Sequence, residues 1–309
     1  MATFDVPILL LMFNRPDHAR QVFDRIRSIR PARLYVAVDG PRPNHPTDRA
    51  NVARCLTLLD RIDWPCELVT LIRQENMGCG LAVSSAVTWF FGQVEMGIIL
   101  EDDCLPDLSF FAYCRELLQQ YEHNPSVMHI GGVNYQDGQQ RGSGSYYFTK
   151  ICHIWGWATW RRAWALYDFS LNNFPQFSRE NTIRQALDSP DDQVHWHESF
   201  RKVHEGQLDT WDYQWVYAIW THNALCALPN VNLVRNIGFD ASATHTKARN
   251  LVVTEQPVAS LSGIVHPGFV LEDKAATEYS LYKLFRPKTG WQKKIHRMQL
   301  RMRYRTWHI

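Results

Sequence analysis

The stretch Met96-Gly97-Ile98-Ile99-Leu100-Glu101-Asp102-Asp103-Cys104-Leu105-Pro106 carries the densest chemical signal in the chain. An uncharged apolar run ends in three consecutive carboxylates, and Pro106 is expected to stop the strand. Short apolar runs bounded by breakers read as buried parallel strands. Open α/β sheets bind ligands outside the carboxyl ends of such strands. Three acids placed there repel one another and lose hydration unless a cation or hydrogen-bond donors meet them. Oxygen-only ligands suit Mg²⁺ or Mn²⁺, which keep several waters and bridge phosphates. A bare acidic triplet can also be a loop in water, but its place behind a buried strand favours a metal–diphosphate site.

Four further residues could do chemistry. Asp39 can hydrogen-bond a base or ribose, and Arg15 can pair with phosphate. Asp212, between Trp211 and Tyr213, is a candidate general base because apolar neighbours raise a carboxyl pKa toward the working range; Asp209 is its nearest competitor. His245, in a Thr-His-Thr setting, could close a metal shell from a distant loop, although a lone His is more often structural. In the group Asp191-Asp192, His195 and His197 the two histidines are two apart and lack the i, i+4 spacing of a helical metal pair, so a solvated helix face is expected there.

These residues need a scaffold, and the periodicity supplies one. Pro7–Phe13, Leu34–Val38, Glu67–Ile72 and Met96–Glu101 read as strands. Between them lie helices with apolar positions at Val22, Ile26 and Ile29, at Val52, Leu56, Leu59 and Ile62, and over Leu81–Val94. Asn14-Arg15-Pro16-Asp17 and Thr47 or Asp48 supply the caps. Alternation of this kind means right-handed βαβ units and a parallel sheet. Asn14/Arg15, Asp39/Gly40 and Glu101/Asp102/Asp103 would then share one rim. Asp107 caps the next helix, whose stripe Phe110, Cys114, Leu117, Tyr121 reads as core, and Val127–Gly131 is a fifth strand. Gln136–Ser145 reads as a mobile loop. The second half is less periodic and rich in aromatics, notably Trp155–Trp164 and Leu208–Trp215, which suit either core packing or the stacking of sugar rings. From Phe239 to Glu278 no period is evident, as in functional lids.

With 309 residues, 45% of them hydrophobic, the chain can bury a full core. The net charge of +2 implies no bulk polyanion partner, but it hides a gradient. Nine of the 33 basic residues lie in 283–309, which has no acid; the remaining 24 face 31 acidic residues, a charge of −7. The seven cysteines are scattered and never form C-x-x-C, which fits a reducing cytoplasm. The N-terminus lacks the basic and apolar regions of a signal peptide. No run reaches the roughly 18 apolar residues of a membrane span.

Phe13-Asn14-Arg15-Pro16, Val38-Asp39-Gly40, Asn76-Met77-Gly78, Ile99-Leu100-Glu101-Asp102-Asp103 and Trp211-Asp212 stand in the order seen in GT-A-fold glycosyltransferases. The chain resembles bacterial family-2-like nucleotide-diphospho-sugar transferases. Its Glu-Asp-Asp before a Pro-Asp-x-x-Phe-Phe helix is also similar to β-1,2-N-acetylglucosaminyltransferase I. The resemblance spans roughly Pro7 to Thr246. It implies a Rossmann-like, mostly parallel sheet flanked by helices, with a nucleotide-sugar half at 1–132 and an aromatic-rich acceptor half at 133–282; composition marks 283–309 as a basic amphipathic tail. It implies that Arg15 and Asp39 hold a nucleoside diphosphate and its uracil. Glu101 and Asp102 would contact ribose or metal-bound water, and Asp103 would bind Mn²⁺ or Mg²⁺ directly. Asp212 would be the inverting base and His245 a metal ligand, while Gly78 and Gly80 would let backbone approach the donor. The expected activity is transfer of a hexosyl or N-acetylhexosaminyl group from a UDP-sugar to a glycan, lipid-linked or glycoconjugate acceptor, in bacterial polysaccharide biosynthesis.

Competing classes leave weaker marks. Gly78-Cys79-Gly80-Leu81-Ala82-Val83 has Val where a dinucleotide fingerprint has Gly or Ala. A sugar-phosphate nucleotidyltransferase would carry a Gly-rich, Arg-containing loop after the first strand, and none is seen; the P-loop pattern is also absent. A degenerate, non-catalytic carbohydrate-binding subunit is opposed by the intact acids, Asp212 and His245. The basic, apolar tail suits anionic membrane surfaces, each basic residue near lipid contributing about 1 kcal/mol. This is expected at the inner face of the cell membrane. No recognised module organises nucleic acid binding.

Overall fold

A computed structural model describes residues 4–239 and 256–286. The chain runs β1 (Ile8–Met12), α1 (Pro16–Ile29), β2 (Arg33–Val38), α2 (Asp48–Leu56), β3 (Glu67–Ile72), α3 (Gly78–Phe91), β4 (Met96–Glu101), β5 (Cys104–Pro106), α4 (Leu108–Gln120) and β6 (Val127–Gly131). It continues with β7 (Tyr146–Thr149), β8 (Trp157–Trp160), α5 (Arg161–Trp164), α6 (Phe174–Arg179), α7 (Ile183–Ala186), α8 (Pro190–His204), α9 (Asp212–Thr221), β9 (Leu225–Pro229), β10 (Val234–Asn236) and α10 (Lys274–Leu284).

Eight strands form one sheet in the order β3-β2-β1-β4-β8-β6-β9-β7. β3, β2, β1 and β4 are parallel, as βαβ crossovers require, and β8 enters antiparallel to β4 with Ile98 opposite Ala158. This is the Rossmann-like, mostly parallel α/β architecture implied by the GT-A resemblance. Strand alternation divides the core between two faces. Ile8, Leu10, Leu34, Val36, Ile98 and Leu100 pack under α1, α2 and α4, whereas Leu9, Leu11, Tyr35, Ala37 and Ile99 pack under α3, α8 and α9. β3 is an edge strand, so its side chains alternate between half-buried and exposed rather than forming a buried run.

Several expectations change. The acidic strand ends at Glu101 without help from Pro106. After Asp102 and Asp103 the chain re-forms a short strand, β5, and Pro106 pairs with Val234 of β10. That two-stranded clip brings Asn236 and Gly238 to the acids. The Gln136–Ser145 segment is tied down. Gln136 is buried, donates to Ala276 O at 3.2 Å and Ser280 Oγ at 3.0 Å, and accepts from Arg141 Nε at 2.8 Å. Its polar composition serves a buried hydrogen-bond network.

The aromatic density is mostly core. Trp157 lies stacked 5.5 Å from Trp211 and contacts Trp164 and Trp215, all four buried. His129 receives the Trp215 indole N–H at 3.1 Å, and burial lowers its pKa to about 3. It is a neutral core histidine.

Asp192 is not on a solvated face. It is buried and accepts a bidentate pair from Arg286. Likewise Lys283 is buried at the end of α10, donating to Tyr135 O at 3.1 Å and to Asp137. The first basic residues assigned to the tail are thus structural anchors of the domain. His245 lies outside the described residues, as does the tail from 287 onward.

Candidate functional site

The carboxyl ends of β1, β2 and β4 open into a cleft of about 540 Å³, which the segment entering α9 also lines. Arg15, Asp39, Gly78, Glu101, Asp102, Asp103, Asp209 and Asp212 all line it; Gly80 sits just behind. Residues separated by up to two hundred positions thus meet in one place.

The acid turn is wired differently at each position. Asp102 is buried and accepts the Phe13 backbone N–H at 3.0 Å. Burial, then the neighbouring Asp103 charge, raise its carboxyl to about 7, only partly offset by Arg15 and that N–H. Glu101 is driven well above its ordinary range by loss of water, then by Asp103, Asp102 and Asp212. Asp103 meets two donors: the Arg15 guanidinium through Nη1 at 2.9 Å and the neutral Asn236 amide through Nδ2 at 3.3 Å. Gly238 is required beside them, because a Cβ there would lie 2.2 Å from Asp103 Oδ2 and 2.8 Å from Arg15 Nη1.

Asp39 points to the opposite end of the cleft. Asn76 Nδ2 reaches it at 2.8 Å and the Met77 N–H at 3.1 Å, while burial raises its pKa despite those donors. Next to it stands a pair that sequence reasoning missed. Arg42 grips buried Asp48 through Nε at 2.7 Å, and Asn14 Nδ2 takes the other oxygen at 2.7 Å. Arg42 also covers the Phe13 ring at 5.3 Å. Asp48 therefore braces Arg42 and Asn14, which line the cleft, and does not cap its helix. Arg73, held by Ser85 Oγ at 2.8 Å, adds a second guanidinium to this end. Two arginines following strand ends were the available signal.

Asp212 is the first residue of α9, and Thr210 Oγ1 donates to it. Loss of water raises its pKa; Thr210 and the helix's first backbone N–H groups oppose that shift. It faces the cleft half-buried, whereas Asp209 is engaged elsewhere. Asp209 accepts from Cys79 N at 3.1 Å and from Gly80 N at 2.8 Å, at the N-terminus of α3. A helix N-terminus after a Gly-rich turn is where a dinucleotide diphosphate would sit, and here a carboxylate of the protein fills it. What approaches Gly78 and Gly80 closely is this loop: a Cβ at either would lie 2.8 or 2.7 Å from Asp209 oxygens.

Among the described residues no three His, Cys, Asp or Glu side chains form a ready-made metal cage. A hard cation held by one or two carboxylates and substrate phosphates needs none. The oxygen-only donors, and the burial and then the mutual repulsion that raise Asp102 and Glu101, fit such an ion. All seven cysteines are free thiols; Cys79, on the cleft wall, is raised to about 12 by burial and then by nearby acids. No helix among the described residues is long and apolar enough to cross a membrane.

No known family model and no curated protein matches the chain. Among solved structures, the inositol-1-phosphate CTP transferase from T. maritima is similar at a TM-score of 0.40 and 12% identity, over 84% of this chain and 100% of that one. Mouse xyloside xylosyltransferase 1 aligns at 0.33 and 13% identity, over 70% and 81%. HddC from Yersinia pseudotuberculosis aligns at 0.32 and 9%, over 56% and 86%. These likenesses assign no activity.

Proposed function

We propose that this chain is a metal-dependent, inverting glycosyltransferase that moves a hexosyl or N-acetylhexosaminyl group from a UDP-sugar to a glycan or glycoconjugate hydroxyl. The observation that carries the reading is the meeting, in one cleft, of the Glu101-Asp102-Asp103 turn with Asp212. Asp39, with Arg42 and Arg73 beside it, would receive the nucleoside. Arg15 would turn from Asp103 to the diphosphate. Mn²⁺ or Mg²⁺ held by Asp103, with Glu101 and Asp102 around it and His245 as a further candidate ligand, would offset the charge building on the leaving diphosphate.

Asp212 would take the proton from the acceptor hydroxyl as its oxygen attacks the anomeric carbon and the bond to the diphosphate breaks. Its raised pKa brings a carboxylate nearer the strength that this step needs. Trp155, half-buried at the cleft wall with its ring 5.3 Å from Phe239, is positioned to pack against a sugar ring. Residues 287–309 carry seven Lys or Arg and no acid, which suits docking at an anionic membrane bearing a lipid-linked acceptor.

The decisive experiment is calorimetric titration of UDP, GDP, CDP and NAD, with and without Mn²⁺. The expected result is binding of UDP only with metal. Preference for another nucleoside diphosphate corrects the donor. Absence of nucleotide binding with metal present overturns the enzyme reading in favour of a non-catalytic carbohydrate-binding role.

A further inference from the structure

Asp209 is the residue that ties the two halves of the cleft together. It leaves the loop before α9, and both its carboxylate oxygens accept backbone N–H groups of α3, from Gly80 at 2.8 Å and Cys79 at 3.1 Å. Those residues lie 129 and 130 positions away in sequence. The approach is closer than any side chain would permit. A Cβ on Gly80 would stand 2.7 Å from Asp209 Oδ1, 2.7 Å from Thr210 O and 3.0 Å from Thr210 N. Two of these contacts are with backbone, which cannot rotate away.

The rest of the loop is fixed from the other side. Trp211 stacks on Trp157, Tyr167 donates to Trp211 O at 3.1 Å, and Gln214 Nε2 donates to Thr210 O at 2.8 Å. Thr210 Oγ1 then holds Asp212. Among the described residues the loop's hydrogen bonds to α3 are those of Asp209, whereas several tie it to the acceptor half. Charge favours this attachment, since an anion at a helix N-terminus meets the positive end of the dipole and unpaired N–H groups.

We propose that Asp209 is a positioning residue, a latch on α3 that sets the distance of Asp212 from the Glu101–Asp103 turn across the cleft. This role rests on the glycosyltransferase reading above. It also separates the two acids of the Asp209-Thr210-Trp211-Asp212 segment: one holds the loop, the other faces the reacting centre. A misplacement of about 1 Å in a reacting geometry can cost on the order of 100-fold in rate, so the latch should appear in kcat more than in donor binding.

The test compares the wild-type chain with D209A, G80A and D212N. Alanine at position 80 is the stronger helix former, so G80A should preserve α3 while pushing the loop off it. In D209A, hydrogen exchange should accelerate together in residues 79–82 and 207–213, and leave β1 and β4 protected. Calorimetric binding of UDP with Mn²⁺ should be unchanged in D209A. UDP release from a panel of UDP-sugars should show kcat lowered by about 30- to 100-fold in D209A and G80A, at constant KM in D209A. Unchanged exchange at 207–213, or full kcat in D209A while D212N is inactive, overturns the latch alone. Normal turnover in D212N, or no UDP release by the wild type from any sugar nucleotide, removes the catalytic reading and the latch with it.

Discussion

Arg15 Nη1 lies 2.9 Å from Asp103 Oδ2, so the residue proposed to bind the cation is neutralised by a guanidinium from the first strand end. The side chains are 14% and 16% exposed, which keeps the attraction from being screened. A metal ion must compete with Arg15 for Asp103, and a diphosphate would compensate Arg15 for that loss. Arg15→Met should therefore strengthen binding of Mn²⁺ alone and weaken binding of UDP with Mn²⁺, each by about tenfold, or roughly 1.4 kcal/mol. Asp103→Ala should abolish the metal dependence of UDP binding. Opposite signs for the two ligands in Arg15→Met, measured by calorimetry, check the exchange; equal losses would reject it.

Asp212→Asn should bind UDP with Mn²⁺ normally and lose about 10²- to 10⁴-fold in kcat, the usual contribution of a general base. The same substitution has a stability signature. A carboxyl raised in the folded state binds its proton more tightly there than in the unfolded chain. Its contribution to stability is therefore present at low pH and is lost as pH rises through the folded pKa. At neutral pH the ionised Asp212 costs stability, and Asn, which can still accept from Thr210, relieves that cost. The expected result is a higher Tm for Asp212→Asn at pH 7 and no gain at pH 3. A lower Tm at pH 7 would show that the charge is compensated where it sits.

How much of this site could be read from the chain depends on how far each contact reaches. The acid turn, Asn14/Arg15 and Asp39 were legible because each ends an apolar run, and a parallel sheet must bring such ends to one rim. The Asp209 latch was not, because it joins residues about 130 positions apart and the sequence shows only an acid near another acid. Gly78 and Gly80 were read as letting backbone approach the donor, whereas the group packed against them in the structure is the Asp209 carboxylate. Asp48 was visible as a helix start, where Ser, Thr and Asp usually cap; the partners that claim it instead are Arg42, from the loop leading into that helix, and Asn14, from the turn after β1. Tryptophan density marked the second half without telling core from surface. Trp157, Trp160 and Trp215 are buried away from the cleft, whereas buried Trp211 and half-buried Trp155, two residues before a strand, both line it.

Asp48 offers a test at the nucleoside end. Arg42, foremost, and Asn14 hold its carboxyl down from 3.8 to about 2. A lowered carboxyl pKa contributes stability above the unfolded value, which is lost as pH falls through the folded one. Between about pH 4 and pH 2 the chain should lose up to about 2 kcal/mol from this group. Asp48→Asn should be less stable than wild type at pH 7 by a similar amount, and the difference should vanish near pH 2. Thermal unfolding across that range reads it directly. A constant difference at every pH would mean that shape, not charge, is what Asp48 supplies.

Arg286 fastens the stretch after α10 to α8. Its Nε donates to Asp192 Oδ1 at 2.7 Å, and the Asp192 side chain is only 3% exposed. Removing one member of such a pair strands a buried charge and typically costs about 3–5 kcal/mol, whereas removing both costs far less. Truncation after Tyr282, which deletes Lys283 and Arg286, should therefore unfold the chain or sharply lower its Tm. Truncation after Arg286 should leave stability intact. Arg286→Ala alone should reproduce most of the loss from Arg286, and adding Asp192→Ala should recover much of it, a coupling that only a double-mutant cycle isolates. The distinction governs the membrane proposal too. A chain ending at Arg286 that still binds UDP with Mn²⁺ but no longer sediments with anionic vesicles would place membrane affinity in residues 287–309. Equal sedimentation of the two chains would deny the tail that role.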